Sequence, residues 1–129
     1  MKTKLLIICS LLFSSQVFAE WTKIAKSKSG MIAYLDYDRT KKHNGYVYYY
    51  MLGDHLKPKY GYLSHENYYQ GDCGSLRFKE INFVFYKQSM GKGPGDSVES
   101  ANNKVWQSAK PNTMNAIILK EVCKQEEME

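Results

Sequence analysis

The sequence is 129 residues long, with 18 Lys and Arg, 13 Asp and Glu, and 14% aromatic residues. The net charge of +5 is modest and the lysines are scattered, which favours an ordinary solvated surface over an anion-binding patch. None of the usual nucleic-acid-binding motifs is found, so we exclude nucleic acid as the expected partner.

The first 19 residues have the pattern of a secretory signal peptide. Two lysines precede an apolar run over residues 5–13, and residues 17–19 provide a small-residue cleavage site. The run is shorter than the about 20 residues that a membrane-spanning helix needs. We therefore expect cleavage before Glu20 and no transmembrane anchor. A bulky residue precedes Cys9, so we do not expect a lipid-attachment signal.

Export leaves two cysteines, Cys73 and Cys123, in an oxidising compartment. An even pair in an exported domain predicts one disulfide. Such a bond closes a loop of about 50 residues and stabilises the fold by roughly 4 kcal/mol on the chain-entropy argument. Neither cysteine has a second Cys or a His at zinc-ligand spacing, so we expect no zinc site. We predict a single domain over residues 20–129.

The first elements of that domain are predicted to be a hairpin and a loop. Residues 21–27 and 31–37 flank the turn signal Lys28-Ser29-Gly30, which is typical of two antiparallel strands. Residues 38–45, DRTKKHNG, are predicted to form a loop. This loop ends in Asn44-Gly45, a dipeptide that favours tight hairpin turns.

The next strand has four tyrosines within residues 46–50. Side chains alternate between the two faces of a sheet, and we expect one face to be covered. Three residues are predicted to point to the covered face: Val47, Tyr49 and Met51. Three tyrosines are predicted to point to the other face: Tyr46, Tyr48 and Tyr50.

Two interpretations of the outer tyrosines remain open. They form either a cross-strand aromatic ladder that stiffens the sheet or a face that contacts a partner. Lys57 and Lys59 are predicted to begin the following strand and to supply a basic rim around such a binding face. The partner is a host or envelope protein, or a second copy of the chain in a homodimer.

Residues 59–70 and 75–88 are rich in Tyr, Phe, Val and Ile and predict further strands. Residues 90–97, MGKGPGDS, are predicted to be a loop that cannot continue a strand. This loop has neither the order nor the spacing of a phosphate-binding loop, so we predict no nucleotide cofactor. The fold class is therefore α+β, with an antiparallel sheet of about five to six strands.

The last segment changes its apolar period. Thr113 is a candidate cap, and residues 114–125 predict a helix whose apolar face packs on the sheet. That face has five members: Met114, Ile118, Leu119, Val122 and Cys123. Asn115 interrupts it, and a strand over residues 116–123 remains the alternative. Residues 124–129 are predicted to be a frayed tail.

The histidines and their neighbours carry little predicted chemistry. Asp54-His55 and His65-Glu66 have residue types found in metal sites, but we expect surface histidines and no metal. Ser64, His65 and Glu66 are the residue types of a hydrolase triad. Neighbours on one strand point to opposite faces, so Ser64 and His65 cannot act as nucleophile and base. We predict that the protein is not an enzyme.

A series of landmarks spans the domain from Trp21 to Cys123. In chain order they are Trp21, Tyr34-Leu35-Asp36, Gly45, Ser64, Asp72-Cys73, Arg77, Tyr86, Gly91-Lys92-Gly93, Trp106, Pro111, Thr113 and Val122-Cys123. Their order resembles the surface-adhesin protein E family of small exported bacterial proteins. The resemblance implies an antiparallel sheet with a C-terminal helix held by a disulfide, and a role without catalysis.

The resemblance also implies partners. An adhesin of this family binds host matrix and serum proteins such as laminin, vitronectin and plasminogen, and is anchored by lipid. This chain lacks the lipid-attachment cysteine, so we expect a periplasmic or secreted protein that is not lipid-anchored. The alternative is a periplasmic inhibitor or accessory protein resembling lysozyme inhibitors. Residues 29–34, SGMIAY, show a related pattern with different spacing, but a basic protein is poorly suited to a basic enzyme.

Overall fold

The computed structural model describes residues 20–98 and 105–127. The predicted signal peptide, residues 1–19, lies outside the described residues. In chain order the strands are β1 (Thr22–Lys26), β2 (Ile32–Leu35), β3 (Lys41–His43), β4 (Tyr46–Lys59), β5 (Tyr62–Asp72), β6 (Arg77–Tyr86), β7 (Gly95–Val98) and β8 (Gln107–Ser108). One helix follows, α1 (Met114–Glu127).

All strands belong to one antiparallel sheet, in the order β1-β2-β4-β5-β6-β7. β3 pairs with β4 beside β2, and β8 pairs with β6. The predicted α+β class and antiparallel arrangement are confirmed, whereas the predicted strand number of five to six is too low. The described residues contain eight strands because β3, β7 and β8 are short pieces at the edges of the sheet.

Two of these edge strands lie in segments predicted to be loops. Lys41–His43 pairs with residues 46–48, and Gly95–Val98 pairs with residues 83–86. The prediction that residues 90–97 carry no strand is therefore wrong. Every residue of these two strands is exposed, so no alternation marks them in the sequence. Hydrogen bonding to a long neighbouring strand determines their conformation instead.

Two tight turns shape the long hairpins. Asn44 and Gly45 have φ values of 51° and 82°, as a two-residue hairpin turn with two left-handed residues requires. Tyr60 and Gly61 have φ values of 53° and 83° and connect β4 to β5 in the same way. β4 therefore continues to Lys59, and Lys57 and Lys59 end this strand rather than begin the next.

The core lies between the sheet and α1. Val47, Tyr49 and Met51 are 2%, 1% and 3% exposed, which confirms the predicted inward face. They pack in one cluster with Ile118 and Leu119 of the helix. The other buried members of this cluster are Ala33, Leu35, Tyr69, Phe78, Val122 and Cys123.

The last element is a helix, so the strand alternative for residues 116–123 is excluded. The hydroxyl Oγ1 of Thr113 accepts a hydrogen bond from the backbone N–H of Ala116 at 3.3 Å, which confirms the predicted cap. The helix continues to Glu127, into the segment predicted to be a frayed tail. Cys73 and Cys123 form the predicted disulfide, with Cα atoms 5.7 Å apart.

Candidate functional site

The face of the sheet opposite α1, called the outer face here, carries the predicted tyrosines. Tyr46, Tyr48 and Tyr50 are half-buried on this face, while their neighbours Val47 and Tyr49 face the helix. This arrangement follows from regular alternation along β4. The structure therefore brings together the three tyrosines that the sequence assigned to one surface.

A stack of aromatic rings crosses from β4 to β5. The ring of Tyr68 stacks on Tyr50 with centroids 4.5 Å apart and lies 6.2 Å from Tyr48. The guanidinium of Arg39 lies 3.8 Å from the centroid of the Tyr50 ring and 5.4 Å from that of Trp21. A cation over a ring face is attracted by the electron-rich centre of the ring. Arg39 thus links Trp21 electrostatically to the tyrosines.

Two carboxylates hold Arg39 in this position. Its Nε lies 2.7 Å from Oδ2 of the buried Asp36, and its Nη2 lies 3.2 Å from Oε1 of Glu66. Burial raises the pKa of the Glu66 carboxyl, and the charge of Arg39 and its hydrogen bond oppose this rise. Because the guanidinium contacts two carboxylates and the Tyr50 ring, the side chain is positioned before any partner arrives.

A second group of cations and rings lies at the other end of the outer face. The ring of Trp106 is 5.4 Å from Tyr46. The guanidinium carbon of Arg77 and the Nζ of Lys79, both on β6, lie 4.4 Å and 4.6 Å from the centroid of the Trp106 ring. The Nε of Arg77 also lies 3.2 Å from a carboxylate oxygen of Asp72. The outer face therefore presents aromatic rings with cations at both ends.

A shallow hollow of about 460 Å³ opens beside the ring stack. Its lining consists of Lys41, Lys42, His43, Tyr48 and Tyr68. The three residues from β3 are exposed, so they supply the basic rim on this side.

The structure does not place Lys57 and Lys59 beside Tyr46, Tyr48 and Tyr50, where a basic rim was predicted. Lys57 lies seven residues beyond Tyr50 on β4, which is about 23 Å at roughly 3.3 Å per residue. Both lysines instead line a separate hollow with Met31 and His55. The placement differs from the expected one because β4 continues to Lys59, so the end of this strand lies far from the tyrosines.

Residues 88–91 cover the part of the outer face around Asp54 and Ser64. Ser64 donates a hydrogen bond to the backbone oxygen of Gln88 at 2.6 Å and accepts one from the N–H of Gly91 at 2.9 Å. The Asp54 carboxylate accepts hydrogen bonds from the Ser89 hydroxyl and the Met90 N–H, each at 2.9 Å. Ser64 is fully buried, so its hydroxyl fixes a loop and is not exposed to a substrate.

The residues weighed as a metal site or a hydrolase triad lie on both faces of the sheet. His65 lies on the helix side of the sheet, paired with Gly53, while Ser64 and Glu66 lie on the outer face. The Nε2 of His55 is 2.9 Å from the Nδ1 of His65, so these two rings meet by a hydrogen bond. Asp54 and Glu66 point away from this pair. Within residues 20–98 and 105–127, no group of three His, Cys, Asp or Glu side chains could hold a metal ion.

Sequence reasoning missed several members of the outer face: Arg39, Lys41, Lys42, Tyr68, Arg77, Lys79 and Trp106. The outward orientation of Tyr68 could have been predicted, because alternation along its predicted strand places it on the same face as Ser64 and Glu66. The positions of Arg39, Lys41 and Lys42 could not, since these residues belong to a segment expected to be a loop. Arg77 and Lys79 lie in a predicted strand, but nothing local places Trp106 beside them. Their contacts with rings depend on pairing between distant parts of the chain.

One family model and several solved structures match the chain. The sequence model of the family described as Surface-adhesin protein E matches residues 21–124. Two solved structures of Haemophilus influenzae protein E are each 16% identical, cover 89% and 86% of this chain and 92% of their own chains, and superpose with TM-scores of 0.69 and 0.65.

A crystal structure of protein E from non-typeable Haemophilus influenzae is also 16% identical, covers 88% of this chain and 82% of its own, and has a TM-score of 0.63. At this identity the structures show a shared fold. No curated protein sequence matches the chain. Within the described residues, no helix is both long enough and apolar enough to cross a membrane.

Proposed function

The chain belongs to the surface-adhesin protein E family, and from this premise we propose that it is an exported, non-catalytic binding protein of the bacterial envelope. Its binding site is the open part of the outer face, centred on Tyr46, Tyr48 and Tyr50. The observation that carries this proposal is the ring stack between Arg39 and Trp106, with cations at both ends. Tyr, Trp and Arg are the residue types that dominate binding energy at protein interfaces.

The composition of this face defines the partner it fits. Aromatic rings provide contact area at low conformational cost, and Lys41, Lys42 and Lys79 attract acidic side chains. Arg39 and Arg77 already pair with carboxylates of the chain itself. The partner is therefore a protein surface that combines apolar and acidic residues, such as a host matrix or serum protein. Since the cations lie at a partly exposed rim, added salt should weaken the complex moderately without abolishing it.

We also propose where in the cell the protein acts. The N-terminal pattern supports export with cleavage before Glu20 and without lipid attachment, which leads to the periplasm, the medium or the cell surface. An adhesin must be accessible from outside the cell. Cell fractionation tests this directly, because recovery only in the periplasm would favour the periplasmic inhibitor or accessory role instead.

The first test compares two adjacent tyrosines on opposite faces of β4. Tyr49→Ala removes a ring that is 1% exposed, and we expect it to lower the free energy of unfolding by about 3 kcal/mol. Tyr48→Ala removes a half-buried outer ring and should cost less than about 1 kcal/mol. Tyr48→Ala should nevertheless weaken binding to laminin, vitronectin or envelope extracts, as measured by surface-immobilised binding assays.

A control tyrosine and a combined variant make this test decisive. Tyr60→Asn changes an exposed tyrosine far from the ring stack, so it should leave partner binding unchanged. A folded Tyr46→Ala/Tyr48→Ala/Tyr50→Ala variant that binds as wild type would show that the ring stack is a structural ladder. Size-exclusion chromatography of the same variants detects a second copy of the chain as the partner.

A further inference from the structure

The tip of the β4–β5 hairpin exposes apolar side chains without an internal role. Tyr60 is 89% exposed and Leu56 is 66% exposed. A single exposed leucine is ordinary on a protein surface, so the informative feature is two large apolar side chains exposed on one hairpin tip. The register shifts between Asp54 and Lys59, so the chain bulges at this point and carries Leu56 outward. The tip therefore holds two apolar groups away from the core.

The backbone conformation at Tyr60 is unfavourable for a tyrosine. Its φ of 53° is in the left-handed region, where bulky residues are rare and Asn or Gly is preferred. The other tight hairpin of this chain has Asn44 at the equivalent turn position, with a φ of 51°. A tyrosine is therefore disfavoured by the turn conformation at this position, and its exposed ring does not stabilise the fold by packing.

Lysines surround the apolar tip. Residues 55–62 and the neighbouring turn, residues 26–31, contain four lysines and no acidic residue. These four are exposed: Lys26, Lys28, Lys57 and Lys59. The two segments are adjacent, because a side chain at Gly30 would come within 2.8 Å of Leu56. Asp54, which precedes the first segment, and Asp96, which contacts Tyr62, accept hydrogen bonds from the Ser89 and Tyr62 hydroxyls.

We propose that this end of the sheet is a docking site for an anionic lipid membrane, separate from the outer face. Tyr60 and Leu56 enter the headgroup region, where amphipathic rings are favoured at membrane–water boundaries. The four lysines pair with lipid phosphates, and their long apolar stems lie along the same surface. The positive charge and the absence of acidic residues in both segments match a negatively charged bilayer rather than a neutral one.

Sedimentation with lipid vesicles tests this proposal on the exported chain, residues 20–129. Wild type should bind vesicles that contain phosphatidylglycerol, release them as salt is raised, and ignore vesicles of pure phosphatidylcholine. Lys57→Gln/Lys59→Gln should reduce partitioning by about fivefold per lysine. Lys41→Gln/Lys42→Gln makes the same charge change at the ring stack and should leave vesicle binding close to wild type.

Tyr60→Asn separates membrane docking from stability. Asn suits this turn better than Tyr, so the variant should melt at the same or a higher temperature. Its vesicle binding should nevertheless fall several-fold. The proposal is overturned if wild type does not bind the anionic vesicles, if Tyr60→Asn binds them equally well, or if both lysine pairs contribute equally. Loss of protein-partner binding by Tyr60→Asn, with vesicle binding intact, would assign the tip to a protein instead.

Discussion

Arg39 illustrates how single residues give the outer face its character. Its guanidinium contacts the Tyr50 ring and two carboxylates at once, from Asp36 and Glu66. A planar group with several fixed donors can do this, whereas the compact ammonium group of lysine cannot. The charge on this face is therefore held in one orientation by neighbours that are themselves partly or fully buried.

His65 should make the stability of the protein depend on pH. It stacks on Phe83 with centroids 5.2 Å apart, and burial, followed by the charges of His55 and Lys59, lowers its pKa to about 4. In the unfolded chain the imidazole has its ordinary pKa of about 6.5. Because the folded pKa is the lower one, the unfolded state takes up the proton first as the pH falls.

The His65 contribution is therefore complete above about pH 6.5 and is lost between about pH 6.5 and 4, by up to about 3 kcal/mol. His65→Phe keeps a flat ring against Phe83 but cannot take up a proton. Denaturant unfolding across this range should show a shallower loss of stability in the variant. Equal pH dependence in the two proteins would contradict the role of His65.

At the scale of elements, β5 and α1 approach closely at Gly71. A methyl group there would lie 2.6 Å from Leu119 Cδ1 and 2.9 Å from Val47 Cγ2. Gly71→Ala should therefore push the helix from the sheet and lower the free energy of unfolding by about 1–3 kcal/mol. Gly74→Ala is the matched control, since the nearest atom is 3.5 Å from its new methyl group. Urea unfolding of both variants measures the difference.

The disulfide attaches α1 to the turn after β5. Reducing the Cys73–Cys123 bond releases a loop with a sequence separation of 50 residues, for which we expect a loss of about 4 kcal/mol. Each kcal/mol corresponds to about 4–8 °C in a domain of about 100 residues, so thermal melting should detect the loss. Cys73→Ser/Cys123→Ser should melt like the reduced protein. Free thiol in the denatured, unreduced chain of residues 20–129, which lacks Cys9, would contradict the bond.

At the scale of the whole molecule, two surfaces lie at different ends of β4. Tyr50 and Lys59 are nine residues apart on this strand, which is about 30 Å. The ring stack is therefore separate from the hairpin tip, and α1 covers the opposite face of the sheet. A protein built this way can contact a partner through one surface while the other faces a membrane.

This separation predicts independent effects. Sites farther apart than about 10 Å with no shared contacts change binding and stability additively. Tyr48→Ala should leave vesicle binding unchanged, Tyr60→Asn should leave partner binding unchanged, and the double variant should show the two single effects together. Vesicle sedimentation and partner-binding assays on all three proteins check this. A loss of both activities in either single variant would show that the two surfaces act as one.

Several features of this fold were determined by sequence alone, because their causes are local. Alternation along residues 46–51 selects which side chains face the core, and Asn44-Gly45 adopts the two left-handed conformations that its hairpin turn requires. The pairing of Cys73 with Cys123 required only their number and compartment. Thr113 and the apolar face after it likewise indicate where a helix begins.

Only the tertiary structure determined which part of the outer face is open and which cations lie beside its aromatic rings. Lys41 lies beside the rings because its short strand pairs with β4, and residues 88–91 close the end near Ser64 through hydrogen bonds across the sheet. Arg39 contacts Tyr50 only when the turn after β2 folds over β4. These contacts join residues that are distant in the chain, and their energies depend on geometry that no local pattern encodes. The same reason carried Lys57 and Lys59 to the hairpin tip, far from the tyrosines they were expected to surround.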